Sequence, residues 1–404
     1  MANALRIPIT NVLGNGDYTA RIEVGSNGVA ANVILDTGGS TLALDSRVYN
    51  PGRDTGMTPT PLAQDISSVT GSWIGPVVKT TITVGPEGQA LSVMANVAVT
   101  AEYEAGSFGS ADGLLGLAFN HLNSAYNLES YLAAHDVNPP LTYPWPFPAR
   151  GSNVAKQQLR ALVDRQPRQD LKPYFSELTD AGITKNIFAF YTLRSVATMR
   201  SAHPEADPLN KGFFILGGGT EQNDLYTGGF TDINVVADLY YNTRLNAVQV
   251  HGSALRNANQ LPAEYAKSYR SNSIIDSGTT ILYLASDVYA SIISSFQAIN
   301  HNLAETVQLA RRQVIESSRL DLNEWPDITF FLEGRDGQDK PLTCTPSTYW
   351  QLDAPNAGQA IFQIADSSGV QSILGLPLLN NYYTVFDRTQ SPYGAVRFAS
   401  IAAP

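Results

Sequence analysis

A mainly β protein built from two related lobes is the fold class that three observations predict. The stretch Val33-Ile34-Leu35-Asp36-Thr37-Gly38-Gly39-Ser40 recurs in the second half as Ser273-Ile274-Ile275-Asp276-Ser277-Gly278-Thr279-Thr280. Each copy is followed further along by two apolar residues and a glycine, Leu114-Leu115-Gly116 and Ile373-Leu374-Gly375. Between these landmarks the chain is mostly short apolar runs broken by turn residues, the pattern of strands rather than long helices. A divergent internal duplication accounts for the repeated order.

Along the chain, residues 18–24 alternate as a strand, 25–28 turn, and 31–35 return as a strand ending at Asp36. Residues 66–84 behave in the same way, with Thr80-Thr81-Ile82-Thr83-Val84 alternating before Gly85-Pro86. Residues 135–150 are rich in proline, and 154–166 carry apolar residues at helical spacing, so an excursion of turns and helix is expected over about 120–168. Gly217-Gly218-Gly219 lacks the spacing of a nucleotide-binding loop and reads as a hairpin or turn. Helices are expected at 286–299 and 304–317, and closing strands at 382–387 and 395–398. The lobes are expected to divide as 1–195, carrying Asp36, and 196–404, carrying Asp276.

Composition excludes several classes of function. With 404 residues and 43% hydrophobic, the chain can bury a large core. Its net charge of −10 gives no basic footprint for nucleic acid or an anionic membrane, so neither is expected as a partner. No apolar run is long enough to span a bilayer, and the first residues lack the apolar core of a signal peptide. Cys344 is the single cysteine, which excludes an intramolecular disulfide and a thiolate zinc site, and it reads as a small buried apolar residue. The five histidines are scattered without ligand spacing, so no metal and no cofactor is expected. A cytoplasmic location follows as the expectation, with the periplasm or secretion as the alternative if a leader has been removed.

An apolar strand that stops at a carboxylate is a poor core design, because an ionised carboxylate is costly to bury alone. Two such loops brought together can share a proton and hold a water, which points to hydrolysis by paired carboxylates. Reading Asp36 and Asp276 as mere turn residues requires the duplicated context to be coincidence. Asp112 reads as a turn residue, not as a third catalytic carboxylate.

The motifs together resemble the pepsin-like aspartic peptidases. The resemblance runs in order through residues 18–25, the Asp36 loop, 112–117, Leu216-Gly217-Gly218, the Asp276 loop, Ile373-Leu374-Gly375 and 382–388. It implies a bilobal acid-protease fold with pseudo-twofold-related β lobes and a cleft, a catalytic pair Asp36 and Asp276, and loop residues Thr37, Gly38, Ser277, Gly278 and Thr279 that support it. It implies an aspartic endopeptidase acting as a monomer on peptides or unfolded proteins at acidic pH, preferring apolar or aromatic residues, and inhibited by statine-type transition-state mimics. It also places a flap hairpin over 66–72, with Ser68, where the family usually has tyrosine, Thr70, Gly71 and Trp73 as candidate cleft residues. Trp73 reads equally well as a core residue.

Departures from the family pattern are Gly39 for a serine that supports the first Asp, Ala43 for a tryptophan that braces the flap, and Leu376 for an aspartate. The Gly39 and Leu376 changes are expected to narrow the active pH window from its acid and alkaline sides. Without disulfides or a prosegment, the chain looks like the bacterial pepsin homologues. The alternative function is a pepsin-fold binding or inhibitor protein that has lost catalysis; it predicts decay of at least one Asp loop, and both are intact.

Overall fold

A computed structural model describes residues 4–68, 71–103, 108–148, 153–390 and 392–402. The chain is mainly β and separates into two compact units, one of residues 19–184, the other of 2–18 together with 185–404.

In the first unit the strand Val29–Asp36 is buried through Val33, Ile34 and Leu35, an unbroken apolar run suited to a strand covered on both faces. It pairs antiparallel with Asp17–Val24 and parallel with Gly113–Gly116. Gly113–Gly116 pairs antiparallel with Leu42–Asp45, which in turn runs parallel to Leu91–Thr100. A long hairpin, Thr58–Ser68 with Gly71–Val84, continues the sheet, and its second strand pairs with Leu91–Thr100.

The second unit repeats the arrangement. Ser273–Ile275 pairs antiparallel with Asn242–Thr243 and parallel with Ser372–Leu374. Ser372–Leu374 then pairs antiparallel with Leu282–Leu284, itself parallel to Ile364–Asp366. The same alternation of parallel and antiparallel neighbours around each Asp-bearing strand is the structural form of the repeat seen in the sequence.

The dividing line differs from the expected 195/196. The strand Leu5–Gly14 pairs with Lys211–Leu216, and Lys211–Leu216 pairs with Ile187–Tyr191, so both early segments belong to the second unit. Ile187–Tyr191 is held further by Tyr382–Asp387 and by a packed aromatic set, in which the Phe188 and Phe386 rings stack at 4.9 Å.

The excursion over 120–168 contains the strand Ser124–Asn127 and the helices Glu129–Ala133 and Asn153–Val163. The expected helix Ser286–Ile299 is present as such. The one expected at 304–317 runs instead over His301–Ala310: Asn300 caps it by accepting from the Asn302 backbone N–H at 3.0 Å, while Ile315–Glu316 leaves to pair with Gln359 and Ala360. Gly217 and Gly219 adopt positive φ in a turn, as their sequence suggests.

Candidate active site

Each Asp loop is shaped by its own backbone. The Gly38 N–H donates to Asp36 Oδ1 at 2.6 Å, and the Gly278 N–H donates to Asp276 Oδ1 at 2.8 Å. Each glycine sits two residues beyond its carboxylate, so the chain must turn at once and the apolar strand ends there. Thr37 and Ser277 are both buried, as is Asp276, while Asp36 is half-buried.

The glycine that ends each apolar-apolar-Gly segment lets a strand close in behind its loop. A Cβ on Gly116 would lie 2.4 Å from the Ser40 backbone, and one on Gly375 would lie 2.3 Å from the Thr279 carbonyl oxygen. No side chain fits in either place. The contact is fastened by backbone bonds: the Leu117 N–H to the Asp36 carbonyl at 2.7 Å and the Ala118 N–H to the Gly39 carbonyl at 2.7 Å in one unit, and the Leu376 N–H to the Thr279 carbonyl at 2.8 Å in the other.

Beyond these shared features the loops differ. Thr279 Oγ1 donates to Asp276 Oδ2 at 2.6 Å. The corresponding place in the first loop is Gly39, where a Cβ would sit 2.7 Å from Asp36 Oδ2 and 3.7 Å from Leu114 Cδ2. The Asp36 carboxylate lies against the bare α-carbon of Gly39, so this position is set by space as well as by hydrogen bonding. Leu376, at the start of the short helix Leu376–Leu379, is buried and serves as core.

Asp112 is a structural staple: its carboxylate accepts from the Asn32 backbone N–H at 2.7 Å. Cys344 is fully buried, and burial pushes its thiol up to about 12, leaving it protonated. Among the described residues, no group of three or more His, Cys, Asp or Glu side chains comes together as a metal would need.

Of the candidate flap residues, Ser68 and Gly71 pair as the last described residues of the hairpin, and Thr70 lies outside the described residues. Trp73 is 5% exposed and packs in a cluster with Ala43, Ala98 and Phe108, bordered by Ile66 and Leu114. The small Ala43 side chain leaves room there for the indole.

Two residues with marked environments were not singled out from sequence. Asp54 accepts from the Ser26 N–H and Oγ–H, the Gly56 N–H, the Tyr49 hydroxyl and the Thr80 hydroxyl. Burial works against its charge, but these donors outweigh it and hold the carboxyl well below the usual carboxylate range. Asp65, on the hairpin, is paired with Arg160 of the helix Asn153–Val163. Asp65 faces inward on a strand whose neighbours at 63 and 74 are apolar, and a lone carboxylate at an inward position is the signal that finds it.

A mainly β chain in which two units each end a buried strand in an Asp-hydroxyl-Gly loop, backed by a glycine strand, defines an aspartic peptidase. A family model described as eukaryotic aspartyl protease matches residues 163–400. Similar proteins include pepsin A of Sus scrofa, 24% identical over 402 residues covering 96% of this chain and 82% of that protein. Pepsin-2B of Gadus morhua is 23% identical over 398 residues, 94% of this chain and 95% of that protein. Cathepsin D of Canis lupus familiaris is 24% identical over 410 residues, 96% and 82% respectively. The chain belongs to the eukaryotic aspartyl protease family, and it is an aspartic endopeptidase, a hydrolase of peptide substrates.

Proposed function

We propose that Asp36 and Asp276 act as a pair on one water molecule. The ionised carboxylate takes a proton from the water as its oxygen attacks the peptide carbonyl carbon, and the protonated carboxyl donates to the carbonyl oxygen. The tetrahedral intermediate then collapses with C–N cleavage: the carboxyl that took the water's proton passes it to the leaving nitrogen, and the hydroxyl formed from the carbonyl returns its proton to the other carboxylate, giving an acid and an amine. The observation that carries this reading is the repetition of one construction in both units, with the Gly38 and Gly278 N–H groups each aimed at its carboxylate. In this reading Thr37 and Ser277 support the loops, and Thr279 orients Asp276 through its hydroxyl.

Because only a singly protonated pair has both an acid and a base, activity is expected in the acidic range. Bulky apolar or aromatic side chains on both sides of the scissile bond are the expected preference, each contributing about 1.5–3 kcal/mol when buried. Since one chain carries both loops, a monomer suffices. The test is hydrolysis of a denatured protein at acidic pH with and without a statine-type mimic, followed by cleavage-site profiling in a peptide library. Cleavage that the mimic abolishes supports the reading. A chain that binds the mimic but cleaves nothing is instead a catalytically silent binding protein, and an absolute requirement for charged residues beside the cut overturns the preference.

A further inference from the structure

The end of the Asp36 loop, the hairpin and the start of the excursion meet in a buried cluster of three polar side chains, Thr41, Gln64 and Asn123, exposed by only 5%, 1% and 3%. In an antiparallel pair, side chains alternate between faces, so Gln64 shares its face with Ile66 and Trp73, the face that packs towards Ala43 and Leu114. An apolar residue would fill such a place at lower cost, because a buried amide must find partners for its polar atoms. Gln64 finds them. Its Nε2 donates to Asn123 Oδ1 at 2.8 Å and to the Ser124 carbonyl at 3.1 Å, with Thr41 Oγ1 at 3.3 Å. Thr41 Oγ1 donates in turn to Asn123 Oδ1 at 3.0 Å, so one oxygen accepts from both the loop and the hairpin.

The backbone fixes two of the three residues. The Thr41 carbonyl accepts from the Gly116 N–H at 2.9 Å, and beside it Ser40 Oγ donates to the Phe119 carbonyl at 2.6 Å. The Asn123 carbonyl accepts from the Leu171 N–H at 2.6 Å, and the Asn123 N–H donates to the Asn120 carbonyl at 2.9 Å. Gln64 is the member that belongs to the hairpin. Among the described residues, the strand Thr58–Ser68 lies between Ser124–Asn127 and Gly71–Val84, so no strand ladder joins it to Leu42–Asp45 or Gly113–Gly116. The Gln64 amide makes that connection through side chains. Five residues beyond Asp36 stands Thr41, whereas five beyond Asp276 stands Ile281, whose side chain has nothing to donate or accept, so the second loop has no such tie at that position.

We propose that Gln64 is a positioning residue for peptide hydrolysis: its amide sets the root of the hairpin against the end of the Asp36 loop, so that a peptide held under the hairpin meets the Asp36 carboxylate in register. This rests on the reading of Asp36 as half of the catalytic pair and of the hairpin as a cover over the substrate, and it adds a residue to that site. Being buried, Gln64 acts through Thr41 and Asn123. Reacting atoms must approach within about 3–3.5 Å, and a misplacement of about 1 Å is costly. From Gln64 to Ser68 the strand runs about 13 Å at its usual rise, so a slight tilt at Gln64 grows along it.

The test is steady-state cleavage of a peptide at one acidic pH, with rates taken per active site counted by titration with a statine-type mimic, so that misfolded protein does not enter the comparison. Gln64→Leu keeps the bulk and removes the amide. It should lower kcat about tenfold while KM stays within about threefold of the unmodified value, which marks lost alignment and not lost binding. Gln64→Glu, neutral when protonated, keeps one O–H for Asn123 Oδ1 and should retain more of kcat than Gln64→Leu. Thr41→Val removes a hydroxyl alone, and the double variant with Gln64→Leu should lose little more than Gln64→Leu by itself, since both act through one link. Should Gln64→Leu fail to fold, Thr41→Val carries the test and should show a smaller loss of the same kind. Unchanged kcat per active site in both single variants, whatever happens to the unfolding midpoint, makes the cluster a structural tie only and overturns the proposal. Additive losses in the double variant, or a Gln64→Glu protein no better than Gln64→Leu, overturn it as well. If the unmodified chain cleaves nothing, the functional reading falls and takes this proposal with it; an active chain with unaltered variants removes the proposal alone.

Discussion

The two Asp loops share a plan and differ in how the second carboxylate oxygen is met. Asp276 Oδ2 receives a hydroxyl at 2.6 Å from Thr279, whereas Gly39 has no hydroxyl to offer and a Cβ there would sit 2.7 Å from Asp36 Oδ2. The surroundings differ in the same sense. The family model matches 163–400, which includes the Asp276 loop and leaves out the Asp36 loop. The first unit also carries the Gly39 and Ala43 departures, the indole of Trp73 in the space beside Ala43, and the 120–168 excursion. The repeated backbone tolerates this divergence because its fixed points are few: a turn glycine after each Asp and a glycine on the strand behind.

The largest effect that tests this comparison removes either carboxylate. Asp36→Ala and Asp276→Ala should each abolish peptide hydrolysis with the circular dichroism unchanged, since each carries a separate proton transfer worth roughly 10²–10⁴-fold. Near wild-type turnover in either variant would end the idea of a pair.

Crowding the first loop comes next. Gly39→Ala puts a methyl where the Asp36 carboxylate now lies, and the resulting displacement should cost about 10²-fold in kcat. Gly39→Ser adds a hydroxyl to the same crowding. If the absence of a hydroxyl at residue 39 is what sets this loop apart, the serine variant should recover activity over the alanine variant and shift the acid limb of its pH profile downwards. Equal losses in the two variants would make space the sole constraint.

The units should also differ in how acid affects them. Asp54 ties Ser26, Tyr49 and Thr80 together through a charge, whereas Asn272 holds Leu245 and Asn259 through neutral amide bonds. Asp54→Asn should cost about 2–3 kcal/mol in unfolding by denaturant near neutral pH. A depressed carboxyl contributes stability that is present above the ordinary carboxylate value and is lost as pH falls through its own lower value. The difference between variant and wild type should therefore persist down to the ordinary carboxylate range and shrink only below it. Asn272→Ala should destabilise by an amount that does not follow this pH course. The smallest expected effect is Thr279→Ala, about tenfold in kcat/KM, measured with the same peptide.

Much of the plan was legible in the sequence because it is written in local terms. An apolar run, a carboxylate and a glycine identify each loop, and Leu115-Gly116 and Leu374-Gly375 mark the strands behind them. What escaped depends on contacts between distant segments. The charge on Asp65 makes sense only beside Arg160, and Asp54 only with donors drawn from residues 26, 49, 56 and 80. The helix expected at 304–317 ends early because Ile315 is drawn into a strand by Ala360, a pairing that no window around 315 reveals.

The pairing of Leu5–Gly14 with Lys211–Leu216 has a consequence for the order of events during synthesis. Residues 19–184 form a continuous stretch, so the strands that pair with one another inside it have all been made once the ribosome has passed 184. The strand Leu5–Gly14 lies between Asp17–Val24 and Lys211–Leu216, and it must wait for the second of these neighbours until residue 216 has emerged. Throughout that interval, the edge of this strand that Lys211–Leu216 will pair with stays open, next to Leu5, Ile7 and Ile9, which are buried in the finished protein. These few residues are where a chaperone would find this polypeptide, and shortening the strand from its start should impair the completion of the later-made unit while leaving the earlier one to form.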